Sequence, residues 1–226
     1  YATLFPYTTL FRSNNGEDSI HIQKQFSPSD TIVQTFLSIA DSPEGQKTWV
    51  DIWGDAGKSF CLNISLLNNT IISSTGIICL DDSVHTLHLL DSNNDTCSVT
   101  IVTAASEFNG KPRIFVDFDN RAADSILIAI TATDGMVNMW NSFVSNTSGY
   151  YGAFKSYNKP NVVSGDFELT VSDIASTISA ISVGAYASKI QWTNILGDPY
   201  TYAPYVAKGN LVPFSSHGPT SDGRVK

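Results

Sequence analysis

RIFVDF, residues Arg113–Phe118, is the stretch that decides the fold. The side chains fall into two alternating sets, each made of every second residue, and in a strand one set points inward and the other toward water. A helix would instead bring residues three or four apart onto one face. The stretch therefore predicts a β-strand with one buried side.

Similar short runs extend from about residue 30 to about residue 140, separated by turn residues such as Gly, Asn and Asp. They include Thr31–Ile39, Thr48–Trp53, Ser59–Leu67, Ile71–Leu80, Val84–Leu90, Cys97–Thr103, Ile126–Thr133 and Val137–Trp140. About eight or nine short strands at this spacing, without a helical period, indicate an antiparallel sandwich or jelly roll. We place this sandwich at residues 30–141.

Composition excludes several classes of protein. The chain has 226 residues, of which 13 are Lys or Arg and 21 are Asp or Glu, so its net charge is −8. An acidic balance argues against a nucleic-acid partner, which needs clustered basic residues. Hydrophobic residues make up 42% of the chain, which suits a globular core. No run approaches the length of a membrane helix, so we expect no membrane span.

The three cysteines, Cys61, Cys79 and Cys97, cannot all be paired within one chain. None belongs to a CxxC pair, and all lie in apolar, strand-like runs. We therefore expect buried free thiols, because cysteine packs as a small hydrophobic side chain.

The remaining segments have a different character. Residues 1–13 (YATLFPYTTLFRS) read either as a strand or as artefactual linker sequence, and we assign them no function. Residues 142–168 are rich in Asn, Ser, Gly and Tyr and predict an irregular connection. Within 169–226, the apolar run Ile174–Tyr186 is typical of a buried strand of a parallel α/β sheet.

Two motifs near the C-terminus, Ile181–Tyr186 (ISVGAY) and Phe214–Pro219 (FSSHGP), resemble the subtilisin-like serine peptidases, peptidase family S8. Ile20–Pro28 (IHIQKQFSP) is similar to Bacteroidetes members of that family. The resemblance implies a mixed fold, in which the antiparallel sandwich is inserted into a partial α/β parallel-sheet core at residues 14–29 and 169–226. It also implies that the chain is an internal fragment of a secreted or cell-surface serine endopeptidase.

The same resemblance places Asn14 at the family's oxyanion-hole asparagine, with a plain Asn-Asn-Gly turn as the alternative. It implies that the Asp, His and Ser of the catalytic triad lie outside this interval, so the fragment alone is predicted to be inactive. A peptide or protein substrate belongs to the full-length parent. No cofactor or metal site is evident, and the family implies structural calcium only for that parent.

We expect several other polar residues to have structural roles. We expect His21 to be structural, and we expect His85 and His88, three apart in a strand, to lie on opposite faces. Ser215 and Ser216 are expected to hydrogen-bond a turn. The acidic pairs Asp81–Asp82, Asp117 with Asp119, and Glu17–Asp18 could bind calcium but are expected to be solvated turns.

A second hypothesis from a different class is a non-catalytic sandwich module that binds carbohydrate or protein. Trp49, Trp53 and Trp140 lie in alternating strands, and we expect them in the sandwich core. The alternative is that they line a sugar-binding face together with Trp192.

Overall fold

A computed structural model describes residues 20–39, 46–107, 109–141, 152–170, 186–203, 206–212, 215, 218–220 and 223–224. These residues form fourteen β-strands and no helix, and hence no helix that could cross a membrane. The chain divides into two compact units: Ser19–Asp166, and a second unit made of Tyr1–Asp18 together with Phe167–Lys226.

The Ser19–Asp166 unit contains twelve of the described strands. In chain order they are β1 (His21–Phe26), β2 (Ile32–Ile39), β3 (Gln46–Gly54), β4 (Cys61–Asn68), β5 (Thr70–Ser74), β6 (Ile78–Cys79), β7 (Val84–Leu90), β8 (Thr96–Ala105), β9 (Pro112–Asn120), β10 (Ser125–Thr131), β11 (Gly135–Asn141) and β12 (Gly152–Lys155).

These strands form two antiparallel sheets. The six-stranded sheet has the order β1-β11-β3-β9-β8-β7, and the second sheet has the order β12-β2-β10-β4-β5, with β6 paired beside β5 on β4. Neighbours in each sheet are often far apart in sequence; Trp53 of β3, for example, lies opposite Arg113 of β9. The chain also passes repeatedly from one sheet to the other, as from β2 in the second sheet to β3 in the first and then to β4 in the second. This connectivity is typical of a sandwich.

The core lies between the inner faces of the two sheets. The residues that alternate inward are almost entirely Ile, Val, Leu and Phe; Val50, Ile52, Ile64 and Ile114 are fully buried. Successive strand side chains point to opposite faces, so each strand contributes every second residue to this core. In β9 the inward set is Ile114, Val116 and Phe118, as the alternation in RIFVDF predicts.

The predicted antiparallel sandwich is confirmed, whereas the predicted α/β core is not. Every strand pair among the described residues is antiparallel, and none of these residues is helical. The identification of the chain as a subtilisin-like peptidase fragment is therefore wrong, because that family requires a parallel sheet covered by helices. The sandwich also takes in β1 and β12, which lie outside the predicted boundaries 30–141.

The expectation of three free thiols is wrong for two of the cysteines. Cys61 of β4 and Cys79 of β6 form a disulfide. They are direct cross-strand partners, and their Cα atoms lie 4.1 Å apart, so the pairing of β6 on β4 brings them together. Cys97 is free and fully buried, and burial raises the pKa of its thiol to about 12.

The described part of the second unit contains a short hairpin, β13 (Gln191–Thr193) paired with β14 (Pro199–Thr201). The rings of Trp192 and Tyr200 stack on it, with centroids 6.0 Å apart. Trp192 is 45% exposed. A small apolar cluster of Ala187, Val206 and Val212 packs against Ile190 and Tyr202, which flank this hairpin. Of the predicted parallel strand Ile174–Tyr186, only Tyr186 is described, and it forms an isolated antiparallel bridge with Leu211.

Candidate binding face

The outer face of the six-stranded sheet carries a group of aromatic side chains. Val50 and Ile52 of β3 point into the core, so Trp49 and Trp53 point outward and are partly exposed. Phe115 of β9 and Trp140 of β11 lie on the same outer face, also partly exposed. The core assignment of Trp49, Trp53 and Trp140 is therefore wrong.

The sequence does contain a signal for this outward orientation. In β3 both alternating sets hold large apolar residues, so hydrophobicity alone does not choose between them. Asp51, however, belongs to the same alternating set as Trp49 and Trp53, and an ionised carboxylate is costly to bury. Asp51 therefore assigns both tryptophans to the outer side.

Arg113 is the best-fixed charged group on this face. Its Nε donates to Asp51 Oδ1 at 2.7 Å and its Nη2 donates to Asp51 Oδ2 at 3.1 Å. Its guanidinium carbon lies 5.1 Å from the ring centre of Trp53 and 5.2 Å from that of Phe115. A two-point ion pair combined with two aromatic contacts holds a planar cation in one place. We call Trp49, Trp53, Phe115, Arg113 and Asp51 the aromatic face.

Carboxylates on β9 border the aromatic face. Asp117 lies opposite Trp49, and burial, with a further contribution from Asp119, raises the pKa of its carboxyl although Lys47 opposes the shift. Lys47 Nζ lies 3.7 Å from Asp119 Oδ2, while Asp119 Oδ1 is buried with no hydrogen-bond partner among the described residues. This border is short of positive charge and suits a basic group on a partner.

His21 lies beside Trp140 at the β1 side of the sheet and is fully buried. Its Nδ1 is 2.8 Å from Asp166 Oδ1, its Nε2 is 3.2 Å from Asn138 Oδ1, and its ring centre is 5.1 Å from that of Trp140. In a serine peptidase the nitrogen opposite the Asp contacts a serine hydroxyl. Here it contacts an amide oxygen, so the arrangement ties β1 to β11 and offers no nucleophile.

Asp81, Ser83 and His85 contain the three residue types of a catalytic triad, but their geometry is unsuitable. Ser83 Oγ and Asp81 Oδ2 lie 2.8 and 3.0 Å from the same nitrogen, His85 Nε2. A triad needs the two partners on different ring nitrogens, so that a proton moves through the imidazole. Ser83 Oγ also donates directly to Asp81 Oδ1, at 2.6 Å. The cluster is therefore a hydrogen-bonded turn.

Asp81 should make stability depend on pH in the acid range. Hydrogen bonds from Ser83 and Thr103 lower the pKa of its carboxyl to about 2. Since the folded pKa lies below the unfolded value of about 3.9, the ionised group stabilises the fold above that value. The stabilisation is lost as the pH falls toward about 2.

We expect Asp81→Asn to lower the midpoint of urea unfolding near neutral pH and to change it little near pH 2. Asp95→Asn is the control, because it removes the same charge from an exposed residue in the turn after β7. An equal loss for Asp81→Asn at both pH values would contradict the assignment.

Some of the other residues that the sequence analysis named lie in the described part of the chain, and others lie outside it. Asn14, Ser216, His217 and most of the two C-terminal motifs lie outside the described residues. Ser215 is buried, and its backbone N donates to Val212 O at 2.9 Å. His85 and His88 lie on opposite faces of β7, as expected. The described His, Cys, Asp and Glu side chains form no group of three that could hold a metal ion.

Comparisons with known proteins are informative at the level of fold. No family model and no curated protein matches the sequence. Among solved structures, the chain is similar to the Clostridium perfringens CspB protease, with a TM-score of 0.60 and 13% sequence identity. The match covers 96% of this chain and 38% of that one, so the chain spans well under half the length of the protease. At this identity the similarity establishes a shared fold with part of a protease structure.

Proposed function

We propose that the chain is a non-catalytic sandwich module of a larger secreted protease, and that its aromatic face binds protein. The observation that carries the binding role is the position of Arg113, held by Asp51 between the rings of Trp53 and Phe115 on an outer sheet surface. Trp and Arg are the side chains that most often anchor protein–protein interfaces.

The protease context rests on the fold similarity to the CspB protease, of which the chain spans 38%. The lack of peptidase activity in the module itself is supported by the two His–Asp contacts found among the described residues. The contact at His21 has no serine on its second nitrogen, and that at His85 has serine and aspartate on the same nitrogen. The Cys61–Cys79 disulfide supports secretion, because disulfides persist mainly in oxidising compartments.

A protein ligand fits the aromatic face better than a carbohydrate does. Arg113 covers the rings of Trp53 and Phe115, and the Trp49 ring is tilted against that of Phe115 with centroids 5.9 Å apart. A sugar-binding platform needs open ring faces on which the sugar can lie. A fixed guanidinium with its carboxylate, by contrast, offers directional hydrogen bonds to a polypeptide.

The test is a selection of displayed peptides on the immobilised chain, followed by affinity measurements on variants. We expect Trp53→Ala to weaken the selected peptides by at least about tenfold, as for an anchor residue. Thr131→Ala, an exposed position on the second sheet, should leave their affinity unchanged. A fluorogenic peptide should not be hydrolysed by the chain in a manner sensitive to serine-directed inhibitors.

Two results would overturn the proposal. One is a glycan array in which oligosaccharides, and no peptides, bind in a manner that depends on Trp53; this would assign the face to carbohydrate. The other is inhibitor-sensitive hydrolysis that remains after contaminating proteases have been removed, which would make the chain itself a peptidase.

A further inference from the structure

Among the described strands, β1, β7, β12 and β5 end the two sheets, and the two-residue β6 lies beside β5. All of these edges except β7 carry features that discourage pairing with another strand. β12 has only four residues, and β5 has five and a bulge opposite Leu66 and Leu67. β1 carries Lys24, and its first residue pairs with Asp166. Short length, bulges, lysine and coverage are the usual means of protecting an edge.

The remaining edge, β7, has none of these features within the described part of the chain. It runs for seven residues, VHTLHLL, without a Lys, Arg, Asp, Glu or Pro. Its outward side chains include Val84 and Leu90, which are 64% and 46% exposed. A long, regular and uncharged edge is a template for an additional strand.

The register shows which backbone groups of β7 are open. Val84 lies opposite Val102, and Thr103 N donates to Ser83 O at 2.9 Å, so Ser83 and Thr103 are a hydrogen-bonded pair. Hydrogen-bonded pairs recur at every second residue of an antiparallel ladder. His85, Leu87 and Leu89 therefore bond toward β8, while the N–H and C=O groups of the residues between them, Thr86 and His88 included, point away from the sheet. Within the described part of the chain nothing pairs with these groups.

Apolar surface adjoins this open edge. β5, the edge strand of the second sheet, lies against β7. Its Ile71 and Ile72 are 61% and 43% exposed. A strand added to β7 would extend the six-stranded sheet beside β5, and its inward side chains would continue the inward row formed by Leu87 and Leu89.

The charge around β7 selects among candidate strands. Residues 81–95 contain Asp81, Asp82, Asp91 and Asp95 and no Lys or Arg. Asp81 and Asp82 precede the strand, and the exposed Asp95 follows it. Asp91 is buried, and its carboxylate accepts hydrogen bonds from backbone N–H groups of the neighbouring turn, so it is not available to a partner. An antiparallel second copy would bring the acidic ends of the two strands together, which is unfavourable. A peptide with basic residues at both ends would be complementary.

We propose that β7 binds an extended segment of a partner protein as an added strand, with alternating apolar residues in its middle and Lys or Arg at both ends. Backbone hydrogen bonds to the open groups of β7 provide the contact, as in other cases of strand addition. The inward row of Leu87 and Leu89 and the flanking carboxylates provide the selectivity. This site is separate from the aromatic face and does not depend on its function.

The first test follows backbone amide exchange by NMR in the intact chain. The probe is a synthetic peptide of alternating threonine and valine flanked by lysines. We expect the amides of Val84, Thr86, His88 and Leu90 to exchange rapidly in the free chain and at least about tenfold more slowly with the peptide. The alternate amides from His85 to Leu89 should be protected in both states. High salt and glutamate flanks should each weaken binding.

The second test compares two substitutions at one position. Thr86→Pro removes an N–H that points away from β8, and proline is tolerated at such edge positions. Thr86→Val keeps that N–H. We expect Thr86→Pro to weaken the peptide at least about tenfold, and both Thr86→Val and Thr131→Ala to leave its affinity unchanged.

Three outcomes would overturn the proposal. In the first, the amides that point outward from β7 are not protected by the peptide. In the second, the glutamate-flanked peptide binds equally well. In the third, protection rises with protein concentration alone, which would identify a second copy as the occupant. The exchange pattern of the unmodified chain decides the matter even if Thr86→Pro does not fold.

Discussion

Ile52→Ala is expected to lower the free energy of unfolding by about 2–5 kcal/mol, whereas Trp53→Ala, at the next position, is expected to lower it by only about 1 kcal/mol. Ile52 is fully buried in the central strand β3, between β11 and β9. Its truncation removes buried methyl groups and leaves a cavity in a closely packed core.

Trp53 is the larger side chain, so its smaller expected effect needs a reason. It points outward, is partly exposed, and its ring contacts the guanidinium of Arg113. Truncation leaves no internal cavity and removes one cation–π contact at a surface. Arg113 keeps its two hydrogen bonds to Asp51.

Urea unfolding of the two variants and the parent chain measures this difference. Ile114→Ala and Phe115→Ala repeat the comparison on β9, where the inward and outward residues are again adjacent. A loss of about 3–5 kcal/mol for Trp53→Ala, the range for a core tryptophan, would show that its side chain is buried in the core. The aromatic face would then have no basis.

The strands of the sandwich could be predicted from local alternation. In Arg113–Phe118 the inward set Ile114, Val116 and Phe118 follows directly from the period of two. Sheet order could not be predicted in this way, because it depends on pairings between distant segments. Trp53 and Arg113, for example, meet only because β3 pairs with β9. The aromatic face is built from such pairings.

Two further expectations failed for related reasons. The α/β core was inferred from two six-residue motifs and the apolar run Ile174–Tyr186, and segments of this length specify a local turn or strand without fixing the sheet around it. The free-thiol assignment treated each cysteine by its own strand. The pairing of β6 with β4, which opposes Cys61 and Cys79, is a tertiary contact that no local pattern shows.

That disulfide is the second feature whose removal should have a large effect. β6 has only two residues, and it is held on β4 by the pairs Cys61–Cys79 and Leu62–Ile78. The bridge closes a loop across a sequence separation of 18. Constraining a loop of this size in the unfolded chain is worth about 3 kcal/mol.

Replacing both Cys61 and Cys79 with alanine is therefore expected to lower the free energy of unfolding by about 3 kcal/mol. A thiol reductant should destabilise the unsubstituted chain by a similar amount and leave the stability of the double variant unchanged. Cys97→Ala is the control: it changes a buried thiol that is not part of the bridge, so its unfolding should remain sensitive to the reductant. Because β6 also brings Ile78 into the core, loss of the bridge should loosen this end of the second sheet first. A parent chain whose unfolding is insensitive to reductant would show that the bridge does not form, and would remove the support it lends to secretion.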